Sequence, residues 1–126
     1  MRKLAGNLLW IDCTGGLLAG LIMLAIHPVI ASWHNLLPAV IAGIGLVNLI
    51  YGSFSLLIAT RKKRLMIMVK TLAIANTVWT AICGVLLICF RDEISTSGIL
   101  HLTAEGIYVG ALGLAEWKYR DLLANG

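Results

Sequence analysis

The sequence predicts an all-α, polytopic membrane protein: an antiparallel bundle of four transmembrane helices forming a single domain over residues 1–126, with both termini cytoplasmic. Three observations carry this. Of the 126 residues, 60% are hydrophobic and only 13% charged, and the mean hydropathy is +0.92; a water-soluble domain carries roughly a quarter of its residues charged. The apolar residues fall into four runs, each close to the roughly 20 residues that span a hydrocarbon core about 30 Å thick. Lys and Arg gather at alternate breaks between the runs. A soluble enzyme, a disulfide scaffold, a disordered tail and a nucleic-acid-binding domain are excluded on composition alone.

The first span is placed at 8–30. It follows Arg2 and Lys3, as a signal peptide would, but its apolar run is too long and contains Asp12, so a retained helix is expected. His27-Pro28 and the polar stretch 32–35 break the chain before the second span, 36–59. The basic run Arg61-Lys62-Lys63-Arg64 separates that span from the third, 66–90. Arg91, Asp92, Glu93 and the turn residues 95–98 precede the fourth, 98–119. Each break is short, so consecutive helices are antiparallel neighbours. Arg2, Lys3, the basic run, Lys118 and Arg120 fall on one side and Arg91 alone on the other, which places both termini on the cytoplasmic side. The charge bias opposes insertion in both orientations, and no repeat relates the two helix pairs. A bacterial-type inner membrane is the expected location.

Polar residues inside the spans are the candidate site. Counting at about 1.5 Å per residue places Asn48, Asn76 and Tyr108 within about 3 Å of the bilayer centre. They are expected to face one another, helped by Tyr51, Thr77 and Thr80, since amides and phenols in hydrocarbon need partners. His101, Glu105, Tyr108, Leu112 and Glu116 share one face of the fourth span. Glu105 sits about 6 Å to the outer side of the midplane. An acid near the centre costs about 2.5–3.5 kcal/mol to insert and is rarely present without a use. Asp12, Lys70 and Glu116 form a candidate inner cluster near the cytoplasmic ends, where snorkelling is the competing explanation.

The remaining features are less specific. His27, His34 and His101 lie on the outer half and, with Glu105, are weak candidates for a metal site, because imidazole and carboxylate suit zinc; His34 is read as a solvated loop residue. No cofactor is assigned. Gly106, Gly110 and Gly113 on the fourth span, and Gly16 and Gly20 on the first, offer small-residue faces to a homo-oligomer or a partner membrane subunit, with packing inside the chain as the alternative. Cys13, Cys83 and Cys89 read as small buried hydrophobes. Trp10, Trp33 and Trp117 suit an aromatic belt, and Trp79 is expected to pack inside.

Helix count and an acid in the first span are shared with several small four-span families, small multidrug transporters among them, but no signature allows any residue to be carried over. The expected function is binding or transport of a cation, proton or small solute at Glu105, His101, Tyr108, Asn48 and Asn76 within the lipid bilayer, with no nucleic-acid partner. The alternatives are a noncatalytic accessory subunit whose polar residues only lock the helices, and an outer-side metal or redox site. No catalytic motif is present.

Overall fold

The computed structural model describes residues 2–125, with side-chain surroundings for 7–124. The side chains of Arg2 and Lys3, which contribute to the expected charge bias, lie outside the described residues. The described residues form six helices and no strand: α1 (Arg2–Ala25), α2 (His27–His34), α3 (Pro38–Thr60), α4 (Met66–Cys89), α5 (Thr96–Lys118) and α6 (Arg120–Asn125). Four of these contain segments long and apolar enough to cross a membrane: Asn7–Ala25, Pro38–Thr60, Met66–Cys89 and Thr96–Lys118.

The first expected span, 8–30, is divided in two. Pro28 lies in the first turn of α2 and has no N–H for the carbonyl of Leu24, so the α1 ladder cannot continue through it. The Nδ1 atom of His27 lies 2.9 Å from the Leu24 oxygen and supplies the missing hydrogen bond. A cost that would otherwise fall on a buried carbonyl is thereby offset. α2 then ends at Asn35 in the left-handed conformation (φ 55°), which Asn tolerates better than most residues. The Asn35 amide donates to the Glu93 carbonyl at 2.6 Å, tying this turn to the α4–α5 connection.

Elsewhere the boundaries follow local chemistry. Pro38 in the first turn of α3 holds Leu37 extended and moves the helix start two residues beyond the expected 36. Ser95 caps α5, its Oγ accepting from Gly98 N at 3.4 Å, so α5 begins at Thr96 rather than 98. The short α6 was not expected. It folds back on the basic end, where Leu123 joins Leu9, Ile58, Val69 and Leu72 in one apolar cluster.

Packing divides the bundle into two close helix pairs, α1 with α3 and α4 with α5, and the contact between pairs is thinner. The glycines explain the pairing. A Cβ on Gly20 would lie 2.7 Å from the Gly45 oxygen, and one on Gly52 would lie 2.7 Å from the Leu17 nitrogen. Gly110 and Gly113 face Thr80 and Thr77 of α4. The stripes Gly16/Gly20 and Gly106/Gly110/Gly113, expected to be available to a second subunit, are therefore occupied inside the chain, where close backbone approach is what they provide.

Two apolar clusters fill the bundle ends, one around Ile41, Ile44, Cys83 and Leu102, the other the α6-covered cluster. Along α1, α3 and α4, the polar residues Asp12, Asn48 and Asn76 fall between them. Large apolar side chains such as Leu21, Ile50, Ile107 and Leu114 point outward, as expected of helices surrounded by lipid. Cys13 and Cys83 are buried, but Cys89 is exposed on the last turn of α4, contrary to the expectation that all three would be core residues. Arg64, one of the four basic loop residues, turns inward and donates to the carbonyls of Ile58, Ala59 and Leu123, satisfying helix-end acceptors.

Candidate functional site

A cavity of about 420 Å³ lies along the seam between the two helix pairs, lined among others by Asp12, Asn48, Asn76, His101, Glu105 and Tyr108. All five residues of the expected central site therefore border one space. Asn48, Asn76 and Tyr108 do not bond to one another as the expected midplane layer would require. Asn48 bonds to Glu105, Asn76 to Asp12 and Glu116, and Tyr108 to a backbone carbonyl, which leaves two polar centres.

The first centre is Glu105, whose side chain is 8% exposed. Its Oε1 accepts from Asn48 Nδ2 at 3.2 Å and from His101 Nε2 at 3.1 Å, and its Oε2 accepts from the Trp79 indole at 2.6 Å. Three donors from three helices thus converge on one carboxyl group. Trp79, itself buried, was read as packing alone, because periodicity shows which way an indole faces and not which acceptor lies opposite its N–H.

A chain of contacts leads from Glu105 toward the α2 end. His101 Nδ1 lies 2.8 Å from His34 Nε2, and His34 Nδ1 lies 3.0 Å from Ser97 Oγ. His34 is 7% exposed and helical, which corrects its reading as a solvated loop residue. The cause is the anchoring of α2 on α5: Ser95 and Ser97 both approach the Trp33 carbonyl, at 2.6 and 2.7 Å, and Ser95 N donates to the His34 carbonyl at 2.9 Å. One proton assignment runs through the rings: His34 Nε2–H donates to His101 Nδ1 and His101 Nε2–H to Glu105, while His34 Nδ1 accepts from Ser97 Oγ when that hydroxyl turns from the Trp33 carbonyl, to which Ser95 still donates. His34 lies outside the four spans, and burial, followed by the neighbouring His101, lowers its pKa from 6.5, which favours the neutral ring this assignment needs.

The second centre joins Asp12, Asn76 and Glu116. The Asn76 amide donates to Asp12 Oδ2 at 2.8 Å and to Glu116 Oε1 at 2.7 Å. All three residues are at most 4% exposed, so snorkelling does not describe the two acids. Lys70, expected in this cluster, instead lies over the Trp117 ring at 5.8 Å from its centroid. Asn76 takes its place, and among the described residues the centre contains two acids and no base.

Tyr108 closes part of the seam. Its hydroxyl donates to the Ile11 carbonyl at 2.7 Å, and Gly15 leaves room for the ring, since a Cβ there would lie 2.9 Å from the Tyr108 Cζ. Thr77 and Thr80 bond to carbonyls of their own helix, and Thr80 also reaches the Gly106 oxygen across to α5 at 3.0 Å.

The three histidines do not assemble as a metal site. His27 is committed to Leu24, and the 2.8 Å between His34 and His101 is a hydrogen-bond length, shorter than two imidazole–zinc bonds of about 2.0–2.1 Å span across a tetrahedral ion. No group of three His, Cys, Asp or Glu side chains converges on a metal-sized space among the described residues. The chain matches no protein family, no curated protein and no solved structure. Function is therefore argued from these two centres.

Proposed function

We propose that this is a multi-pass integral protein of a bacterial-type inner membrane, with both termini cytoplasmic, that binds and moves protons through the polar cavity beside Glu105. The notion of a cation or small solute at the same site narrows to the proton because of one observation: the row Ser97–His34–His101–Glu105, four exchangeable groups at successive hydrogen-bond distances of 3.0, 2.8 and 3.1 Å. A proton arriving at His34 Nδ1 releases the Nε2 proton to His101 Nδ1. His101 then passes its own Nε2 proton to Glu105. Each ring accepts one proton and gives up one, so the rings change only in tautomer, the Glu105 carboxylate becomes a carboxylic acid, and the proton leaves Glu105 into the cavity it lines. Asn48 and Trp79 hold the carboxyl group in reach of His101, and return of the rings to their first tautomers resets the row.

Support for the orientation comes from charge: Arg61, Lys62, Lys63, Arg64, Lys118 and Arg120 share the end opposite the histidines, and the positive-inside rule places that end in the cytoplasm. The histidines then face the outer side. Purified protein in liposomes with an imposed pH gradient tests the reading. Wild type is expected to dissipate the gradient, and Glu105→Gln to reduce the rate at least tenfold while remaining monodisperse in detergent. An unchanged rate overturns it.

A second reading has its own observation. Both Glu105 oxygens are already satisfied by Asn48, His101 and Trp79, as in a lock between helices. On that reading the chain is an accessory or structural membrane subunit. Neither wild type nor Glu105→Gln then conducts protons, and the variant loses stability alone.

A further inference from the structure

The Asp12–Asn76–Glu116 centre lies at the opposite end of the cavity from His34, and its hydrogen-bond inventory does not balance. Two carboxyl groups offer four oxygens, and the two protons of one amide are their side-chain donors. Oε2 of Glu116 has no donor among the described residues, although Glu116 is fully buried at 0% exposure. Asp12 Oδ2 and Glu116 Oε1 lie 2.8 and 2.7 Å from one nitrogen, Asn76 Nδ2, so the two carboxyl groups are neighbours. The basic side chains at this end are engaged elsewhere: Lys70 over Trp117, Arg120 over the same ring and on the Trp117 carbonyl, Arg64 on three helix-end carbonyls. The other titratable groups near the pair are one thiol and two phenols. Cys13 on α1 donates to the Trp10 carbonyl and Tyr108 on α5 to that of Ile11, while Tyr51 of α3 lines the cavity.

Two carboxylates in this setting would repel without a counter-charge, and the orphaned oxygen would lose its hydration with nothing in return. One proton removes both problems, because a carboxyl–carboxylate hydrogen bond supplies the missing donor and cancels one charge. We infer that Asp12 and Glu116 hold a single exchangeable proton between them and form a second proton-binding site, at the basic end of the cavity. Asp12 lines the cavity and Glu116 lies behind it, so exchange runs through Asp12. The transfer is complete in itself: an O–H bond on one acid breaks as one forms on the other.

Infrared difference spectroscopy of the protein in lipid nanodiscs, with hydrogen–deuterium exchange at neutral pH, tests this. The Glu105→Gln background removes the other intramembrane acid. One deuterium-sensitive protonated-carboxyl band per chain is expected. It disappears in both Asp12→Asn and Glu116→Gln, where the remaining acid ionises and accepts from Asn76 and the new amide. Absence of the band in folded Glu105→Gln protein, or its survival in both double variants, overturns the inference. So does loss of the band at constant pH on adding sodium, which would make the pair a cation site. Where Glu116→Gln fails to fold, Asp12→Asn carries the test alone. The measurement needs no flux, so it stands apart from the success or failure of the Glu105 reading.

Discussion

The two ends of the cavity solve the problem of an acid in lipid in opposite ways. At the histidine end, one carboxyl group receives three donors, from Asn48, Trp79 and His101. At the basic end, two carboxyl groups share one amide. Donor supply separates them more sharply than depth or burial does. Where donors are in excess the carboxyl oxygens are satisfied as they stand, and where they are short a proton has to make up the difference. Two unit charges about 4 Å apart at an effective dielectric of about 20 repel by about 4 kcal/mol, comparable to half the stability of many folded domains. The basic end cannot ignore a cost of that size.

Removing the acid at each end should therefore have unequal consequences. Glu105→Leu leaves the Trp79 and Asn48 donors buried without an acceptor and should destabilise the fold by about 3 kcal/mol or more, read as unfolding in mixed micelles. Trp79→Phe deletes a single donor to the same carboxyl group and should cost about 1–3 kcal/mol, the penalty of leaving a buried acceptor without its partner. An effect below 0.5 kcal/mol, the order of an ordinary surface substitution, would show that the indole contact is incidental.

His34 sharpens the comparison through pH. Its folded-state pKa is depressed, so between that value and 6.5 the unfolded chain binds more protons than the folded one. Its contribution to stability is fully present above pH 6.5 and declines as the pH falls below it. Thermal unfolding at pH 7.5 and 5.5 should show wild type losing stability on acidification and His34→Asn losing less. An identical pH response in the two proteins would place the effect elsewhere. The smallest change is expected for Glu116→Gln. Its amide oxygen still accepts from Asn76 and its new N–H donates toward Asp12, so stability should shift by less than about 1 kcal/mol. A loss as large as that of Glu105→Leu would erase the distinction between the two ends.

Much of this architecture was legible beforehand because span length and hydropathy are properties of consecutive residues. Helical spacing also put His101, Glu105, Tyr108 and Glu116 on one inward stripe. What it does not encode is which neighbour lies across the seam. The residues Asn48, Asn76 and Tyr108 share a depth, but depth is one coordinate of three, and each bonds to different partners rather than to the other two. The burial of His34 depends on Ser95 and Ser97 meeting the Trp33 carbonyl, a contact between residues more than sixty positions apart. Lys70 was grouped with the acids by height, yet its stem carries it to the Trp117 face. The break at Ile26 could be anticipated from Pro28, and the expected first span ran past it because the apolar run does.

The seam itself is uneven in strength. Within each helix pair, glycines bring backbones together over several turns, so separating partners would undo a long row of van der Waals contacts. Between the pairs, the side bearing Tyr108 is fastened by a single phenol on the Ile11 carbonyl. A lateral parting of two stiff halves is therefore expected to begin beside Tyr108, next to the cavity that Asp12 and Glu105 line.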